Sequence, residues 1–241
     1  MKKIRFYNSY LKAACVCALL ILGISVFHNP YAYTYQNHNF MVESNRKGVG
    51  VAEIKDYALL SDRMRGYICN AYEVSVTGVR DESLLFGSSF KDKTQVSFTF
   101  HNDLDDNMRF LPCIYLYDDS TQLLTKLPTK IVGNKAIAKV TGSGIYVLLN
   151  KIYIDNLVNL SAEQYHSMSS SDRNQDGITE GDANLISAGV LRTGTNIMFN
   201  NIDWCELDSD NDGLLNSEEV EIVDSGGFMY LKVHSFPDIA D

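Results

Sequence analysis

The sequence predicts a mostly β chain: an antiparallel β-sandwich followed by a small domain of loops and short helices organised around two acidic loops. Three observations predict it. Between residues 49 and 150, short runs of branched and aromatic residues alternate with polar ones, and turn residues separate the runs,. After residue 171 that alternation gives way to acidic, glycine-punctuated sequence. Within it, one acidic pattern occurs twice in the same frame, its copies starting 36 residues apart,.

The 241 residues leave room for one or two domains with cores of their own,. Lys2, Lys3, Arg5 and Lys12 precede 15 uncharged residues, Ala13 to Phe27. That run suits the apolar region of a secretory signal and falls short of the ~20 residues a membrane helix needs. Pro30-Tyr31-Ala32 offers a cleavage point, so residues 1–32 are read as a signal peptide,. The protein is then secreted or at the cell surface, with no transmembrane span after cleavage. An uncleaved N-terminal anchor is the other reading of the same run. Three cysteines lie beyond the signal. Cys69 and Cys113 stand in strand-like segments of one region and form the candidate disulfide, with Cys205 left over,. Three small buried hydrophobes are the alternative.

The elements follow in order. Residues 33–48 are polar and read as irregular. Residues 49–150 form the sandwich, with a helix expected around Val51 to Arg65. Its strands are Tyr72–Val79, Gln95–Phe100, Cys113–Tyr117, Lys130–Val132, Ala136–Val140 and Gly144–Leu149,. His101-Asn102-Asp103, Asp118-Asp119-Ser120, Gly133-Asn134 and Gly142-Ser143-Gly144 supply the turns,. Residues 151–171 are a linker, with a turn of helix between Asp155 and Gln164. Residues 172–241 form the final domain. In it, Ala183, Ile186, Val190 and Leu191 give Gly181 to Leu191 a helix face, ended by Gly194,. Glu218 to Val223 is a short helix at most, and Phe228 to Val233 is strand-like.

The net charge of −9 argues against a nucleic-acid partner,. It is unevenly placed. Residues 172–241 hold 15 Asp/Glu against three basic residues, a local −12, which leaves about +3 for the rest. Such a segment either repels itself or binds cations. The spacing of the acids favours cations. Asp208, Asp210 and Asp212 take positions 1, 3 and 5 of a twelve-residue calcium loop, with Gly213 at 6,. Leu214 offers its carbonyl at 7, Asn216 a direct or water-borne ligand at 9, and Glu219 both oxygens at 12,. A hard cation wants six to eight oxygens, and this pattern supplies them. The earlier copy places Asp172, Asn174 and Asp176 at 1, 3 and 5, Gly177 at 6, Ile178 at 7 and Glu180 at 9. Position 12 is Ala183, and Asp182 at 11 is the nearest substitute, so this copy should bind more weakly,. One to two Ca²⁺ ions are expected. Long helices on both sides of each loop are not visible, which favours a structural site over a sensor.

The pattern Asp-x-Asp/Asn-x-Asp-Gly-Ile/Leu resembles the thrombospondin type 3 repeat and EF-hand-type repeats in exported proteins of Gram-positive gut bacteria. Leu191-Arg192-Thr193-Gly194-Thr195-Asn196 is similar to the segment between such repeats. Gly144 to Lys151 is similar to the last strand of the β-rich module that precedes them. Ser235 to Asp241 looks like the run-up to a further loop. The resemblance covers roughly residues 95–241 and implies a calcium-rigidified structural or adhesion module. Dockerins, which bind a cohesin partner, are the alternative. Their loops carry an acid at position 12 and a good helix behind each loop, unlike Ala183 and the Gly226-Gly227 strand here.

No nucleophile, zinc or phosphate-loop motif is present, so a non-enzymatic protein is expected. Asp103, Asp105 and Asp106 read as a solvated turn, and Tyr115, Tyr117 and Tyr146 as sheet packing rather than a sugar platform.

Overall fold

The computed structural model describes residues 33–54, 63–64, 66, 68–78, 93–101, 111–155, 157–168 and 171–240. The expected signal peptide, the Asp103–Asp106 turn and Asp241 lie outside them. Thirteen strands and four short helices are described. The chain is mostly β, in antiparallel sheets.

Two five-stranded sheets are stacked. In the first, β1 (Tyr33–Gln36), β2 (Phe40–Ser44), β5 (Thr94–Thr99), β9 (Lys135–Val140) and β8 (Thr129–Val132) lie side by side in that order. The second runs β3 (Val49–Ile54), β4 (Ala71–Val76), β10 (Gly144–Asn150), β6 (Pro112–Asp118), β7 (Leu123–Lys126). Alternation along the strands sends one side chain in two toward the space between the sheets. Phe40, Val42, Val96, Phe98, Ala136 and Ala138 from the first sheet meet Tyr72, Val74, Ile114, Tyr146 and Leu148 from the second. The Phe40 and Tyr72 rings stack at 4.1 Å, and Phe98 meets Phe40 edge-on at 4.8 Å,. Each of these large side chains contributes about 1.5–3 kcal/mol by burial.

The second sheet is covered on its other face as well. Cys113, Tyr115, Tyr117, Val147 and Leu149 form a separate buried cluster there with Met64, and Ile154 packs against it. This explains why β6 and β10 read as nearly continuous apolar runs: central strands buried on both faces carry apolar residues at successive positions. The three tyrosines singled out in the sequence are all buried, so they pack and do not form an exposed stacking platform.

Three expectations change. Residues 33–36 and 40–44 are strands β1 and β2, not irregular chain. β1 is a sheet edge with polar residues and little burial, so its composition hides it, while Phe40 and Val42 anchor β2. The start of the helix expected at Val51 is strand β3, paired with β4 from Val49 to Ile54, because partners across a sheet override local propensity,. Cys69 and Cys113 are free thiols: Cys69 packs against the inter-sheet core and Cys113 sits in the cluster on the opposite face. The Cys113 Sγ is instead near the Leu127 carbonyl and Thr129 Oγ1.

Residues 151–168 carry structure of their own. Helix α1 (Lys151–Asp155) leaves β10, β11 (Leu160–Ser161) pairs with β13, and α2 (Ala162–His166) follows with a Ser161/Gln164 capping box,. Beyond them lie α3 (Glu180–Ser187), α4 (Asn216–Glu219), β12 (Val220–Ser225) and β13 (Phe228–Val233). Strands β11, β13 and β12 form a third sheet. Its core joins Leu160, Ile178, Ile186, Leu191, Trp204, Leu231 and Phe236.

The C-terminal region is seated on the stacked sheets. Gln122, buried in the β6–β7 turn, donates from Nε2 to the Val233 carbonyl at 2.8 Å and accepts the Val233 N–H at 2.9 Å. Met64 bridges to Ile197. Arg63 pairs with Asp238 and lies 4.2 Å above the Phe236 ring,. Gly194 is required by this approach: a Cβ there would stand 3.0 Å from the Gln122 carbonyl and 2.2 Å from Leu123 Cδ2,.

Candidate metal centre

The two acidic loops fold alike. Five backbone features recur at equal positions. Position 4 is left-handed in both, Gln175 at φ 60° and Asn211 at φ 61°. Position 6 is also left-handed, Gly177 at φ 95° and Gly213 at φ 101°, where only glycine sits without strain,. The first carboxylate accepts the position-6 N–H: Gly177 to Asp172 Oδ2 at 3.0 Å, Gly213 to Asp208 Oδ2 at 3.1 Å. The position-5 carboxylate accepts the position-7 N–H: Ile178 to Asp176 Oδ1 at 2.7 Å, Leu214 to Asp212 Oδ1 at 2.8 Å. A helix then starts at position 9 in both, α3 at Glu180 and α4 at Asn216.

In the second loop these turns draw Asp208, Asp210 and Asp212 together, with one oxygen from each within 4.8 Å of the others. Asp208 Oδ1 accepts the Asn211 N–H at 2.7 Å and Asp210 Oδ1 the Asp212 N–H at 3.2 Å. Asp210 Oδ2 is buried and has no hydrogen-bond partner among the described residues. Desolvation raises the Asp210 carboxyl above its ordinary pKa; the Asp212 N–H bond partly offsets this, and the charges of Asp212 and Asp208 add to the rise,. A buried oxygen without a donor, flanked by like charges, fits a cation, which would satisfy the oxygen and offset the repulsion.

The other candidate residues are placed differently. Leu214 is exposed beside the cluster. Asn216 is fully buried, and its amide braces the loop: Oδ1 accepts the Ser209 N–H at 3.0 Å, and Nδ2 donates to the Glu206 carbonyl at 2.9 Å. Glu219 is fully buried at the end of α4, and its Oε1 accepts the Ser235 hydroxyl at 2.8 Å. It is not among the three converging carboxylates.

The first loop draws in less charge. Asp172 Oδ1 is buried without a hydrogen-bond partner among the described residues. Asn174 Nδ2 donates to Asp176 Oδ2 at 2.8 Å and to the Cys205 carbonyl at 3.1 Å. Ile178 is buried in the core and presents its backbone to the loop. Glu180 turns outward, accepting Ser171 Oγ at 2.8 Å and lying 3.3 Å from Arg173 Nε. Asp182, the sequence's substitute for the missing twelfth ligand, caps α3: its Oδ2 accepts the Thr179 N–H at 3.0 Å and hydroxyl at 2.7 Å,. The Thr-x-x-Asp spacing carried that signal, and reading Asp182 only as a carboxylate hides it.

Comparison with protein-family models, with curated proteins and with solved structures finds no match. No helix among the described residues is long and apolar enough to cross a membrane.

Proposed function

We propose that this chain is an exported, non-catalytic calcium-binding protein whose C-terminal region is a calcium-rigidified module at or near the cell surface. The observation that carries the reading is the convergence of Asp208, Asp210 and Asp212, together with a buried Asp210 Oδ2 that has no hydrogen-bond partner among the described residues. The first loop, with the same backbone frame and fewer converging charges, is the weaker second site. Hard oxygen donors suit calcium better than zinc, which favours nitrogen and sulfur. In this reading the stacked sheets are the β-rich module, and residues 172–241 are a paired calcium-loop domain resembling thrombospondin type 3 and EF-hand-type repeats.

The dockerin alternative asks for a good helix behind each loop. Here α4 has four residues and runs directly into β12, which supports a structural role over cohesin docking. Isothermal titration of the full chain with calcium tests the proposal. One tight and one weaker site are expected, and absence of binding at millimolar calcium would refute it.

A further inference from the structure

Glu219 connects the second loop to the contact between the C-terminal region and the stacked sheets. Both ends of the residue hold the same neighbour. Its carboxylate Oε1 accepts the Ser235 hydroxyl at 2.8 Å, and its carbonyl accepts the N–H groups of His234 at 2.6 Å and Ser235 at 3.3 Å. The residues flanking this pair are the ones that dock. Val233, two positions before Ser235, exchanges two hydrogen bonds with Gln122. Phe236, one position after it, lies under the Arg63 guanidinium. Asp238 pairs with Arg63 and also accepts the Asn200 N–H at 2.8 Å. So one short stretch, residues 233–238, is fixed on one side by Glu219 and on the other by the sheet unit.

We propose that occupancy of the second loop sets how tightly residues 233–238 are docked on the stacked sheets, with the Glu219–Ser235 hydrogen bond as the link. The inference rests on the calcium reading above. An ion drawn in by Asp208, Asp210 and Asp212 would take Glu219, at position 12 of the same loop, as its closing ligand,. Fixing that side chain fixes Ser235, and with it the register of Val233 against Gln122 and of Phe236 and Asp238 against Arg63. Binding at one site and docking at the other then share a coupling free energy, which is reciprocal. The device makes a calcium loop control the rigidity between two packed units instead of opening a groove.

The test is amide hydrogen exchange by NMR on the full chain, in calcium and in chelator, beside a calcium titration. Two amides report docking itself: Val233, which donates to Gln122, and Met198, which donates to the Arg63 carbonyl. Calcium is expected to slow both at least tenfold. Ser235→Ala is expected to abolish that slowing while still binding calcium, and Ser235→Thr, which keeps the hydroxyl, to preserve it. If calcium binds but both exchange rates stay unchanged, the coupling is overturned and the calcium site survives. Full slowing in Ser235→Ala overturns the Glu219–Ser235 link. If Ser235→Ala does not fold, the wild-type comparison decides. No calcium binding at all removes both readings together.

Discussion

Replacing Asp210 by asparagine separates a calcium loop from an acidic turn, because the two predict opposite signs in different media. Asp210 Oδ1 accepts the Asp212 N–H, and an asparagine oxygen can keep that bond. Oδ2 has no partner among the described residues, so losing its charge costs no hydrogen bond. Asp210's carboxyl is raised above its ordinary pKa, by desolvation first and also by the charges of Asp212 and Asp208, against a lowering by the Asp212 N–H bond. A carboxyl raised by folding contributes stability below its unfolded pKa and loses it as pH rises through the folded value. At neutral pH the ion-free loop therefore carries the full penalty, and Asp210→Asn in chelator should raise Tm. With calcium the sign reverses. Saturation at a hundredfold excess over Kd stabilises the wild type by about 2.7 kcal/mol, roughly 5–10 °C in Tm for a chain of this size. Asp210→Asn removes one of three converging carboxylates and should lose about half or more of that shift. Differential scanning calorimetry of both proteins, in EGTA and in calcium, reads the two signs. A variant that destabilises equally in both media would refute the reasoning, since an acid that only shapes a turn does not sense calcium.

Other outcomes follow from the same geometry. Asp182→Ala should cost about 1 kcal/mol in urea denaturation through loss of the α3 cap while leaving calcium affinity unchanged; weakened binding would make it a ligand after all,. Gln122→Ala orphans the Val233 N–H and carbonyl in a buried setting and should cost about 2–4 kcal/mol, read by the same denaturation,. Leu231→Ala, at 1 % exposure in the C-terminal core, should cost about 3 kcal/mol and test whether that core is as closed as described,. Burial pushes the Cys69 thiol up to about 12, against a partial lowering by a backbone hydrogen bond from Leu148. At pH 8, peptide mapping after alkylation should therefore show Cys205 modified far faster than Cys69; a Cys69–Cys113 disulfide in the isolated protein would contradict the fold.

The loops were legible in the sequence because their chemistry is local. Alternating acids and a glycine at position 6 act through bonds only a few residues apart, and the left-handed turns at Asn211 and Gly213 follow from them. Strands β4, β5, β6, β9 and β10 were legible for a similar reason, since alternation along one strand survives whatever strand it pairs with. What the sequence could not display is what depends on partners far along the chain. Strand β1 needs β2, and β2 needs β5, some fifty residues away, before either counts as a strand. Tertiary packing also decided which acids converge. Asp208, Asp210 and Asp212 meet, whereas Asn216 braces the loop and Glu219 accepts the Ser235 hydroxyl through Oε1. The same holds for the seat of the C-terminal region: Gln122 and Val233 are 111 residues apart, and nothing local in either marks them as partners. Local hydrogen bonding fixes the form of a loop, but only the folded neighbours determine which of its side chains are left to face an ion.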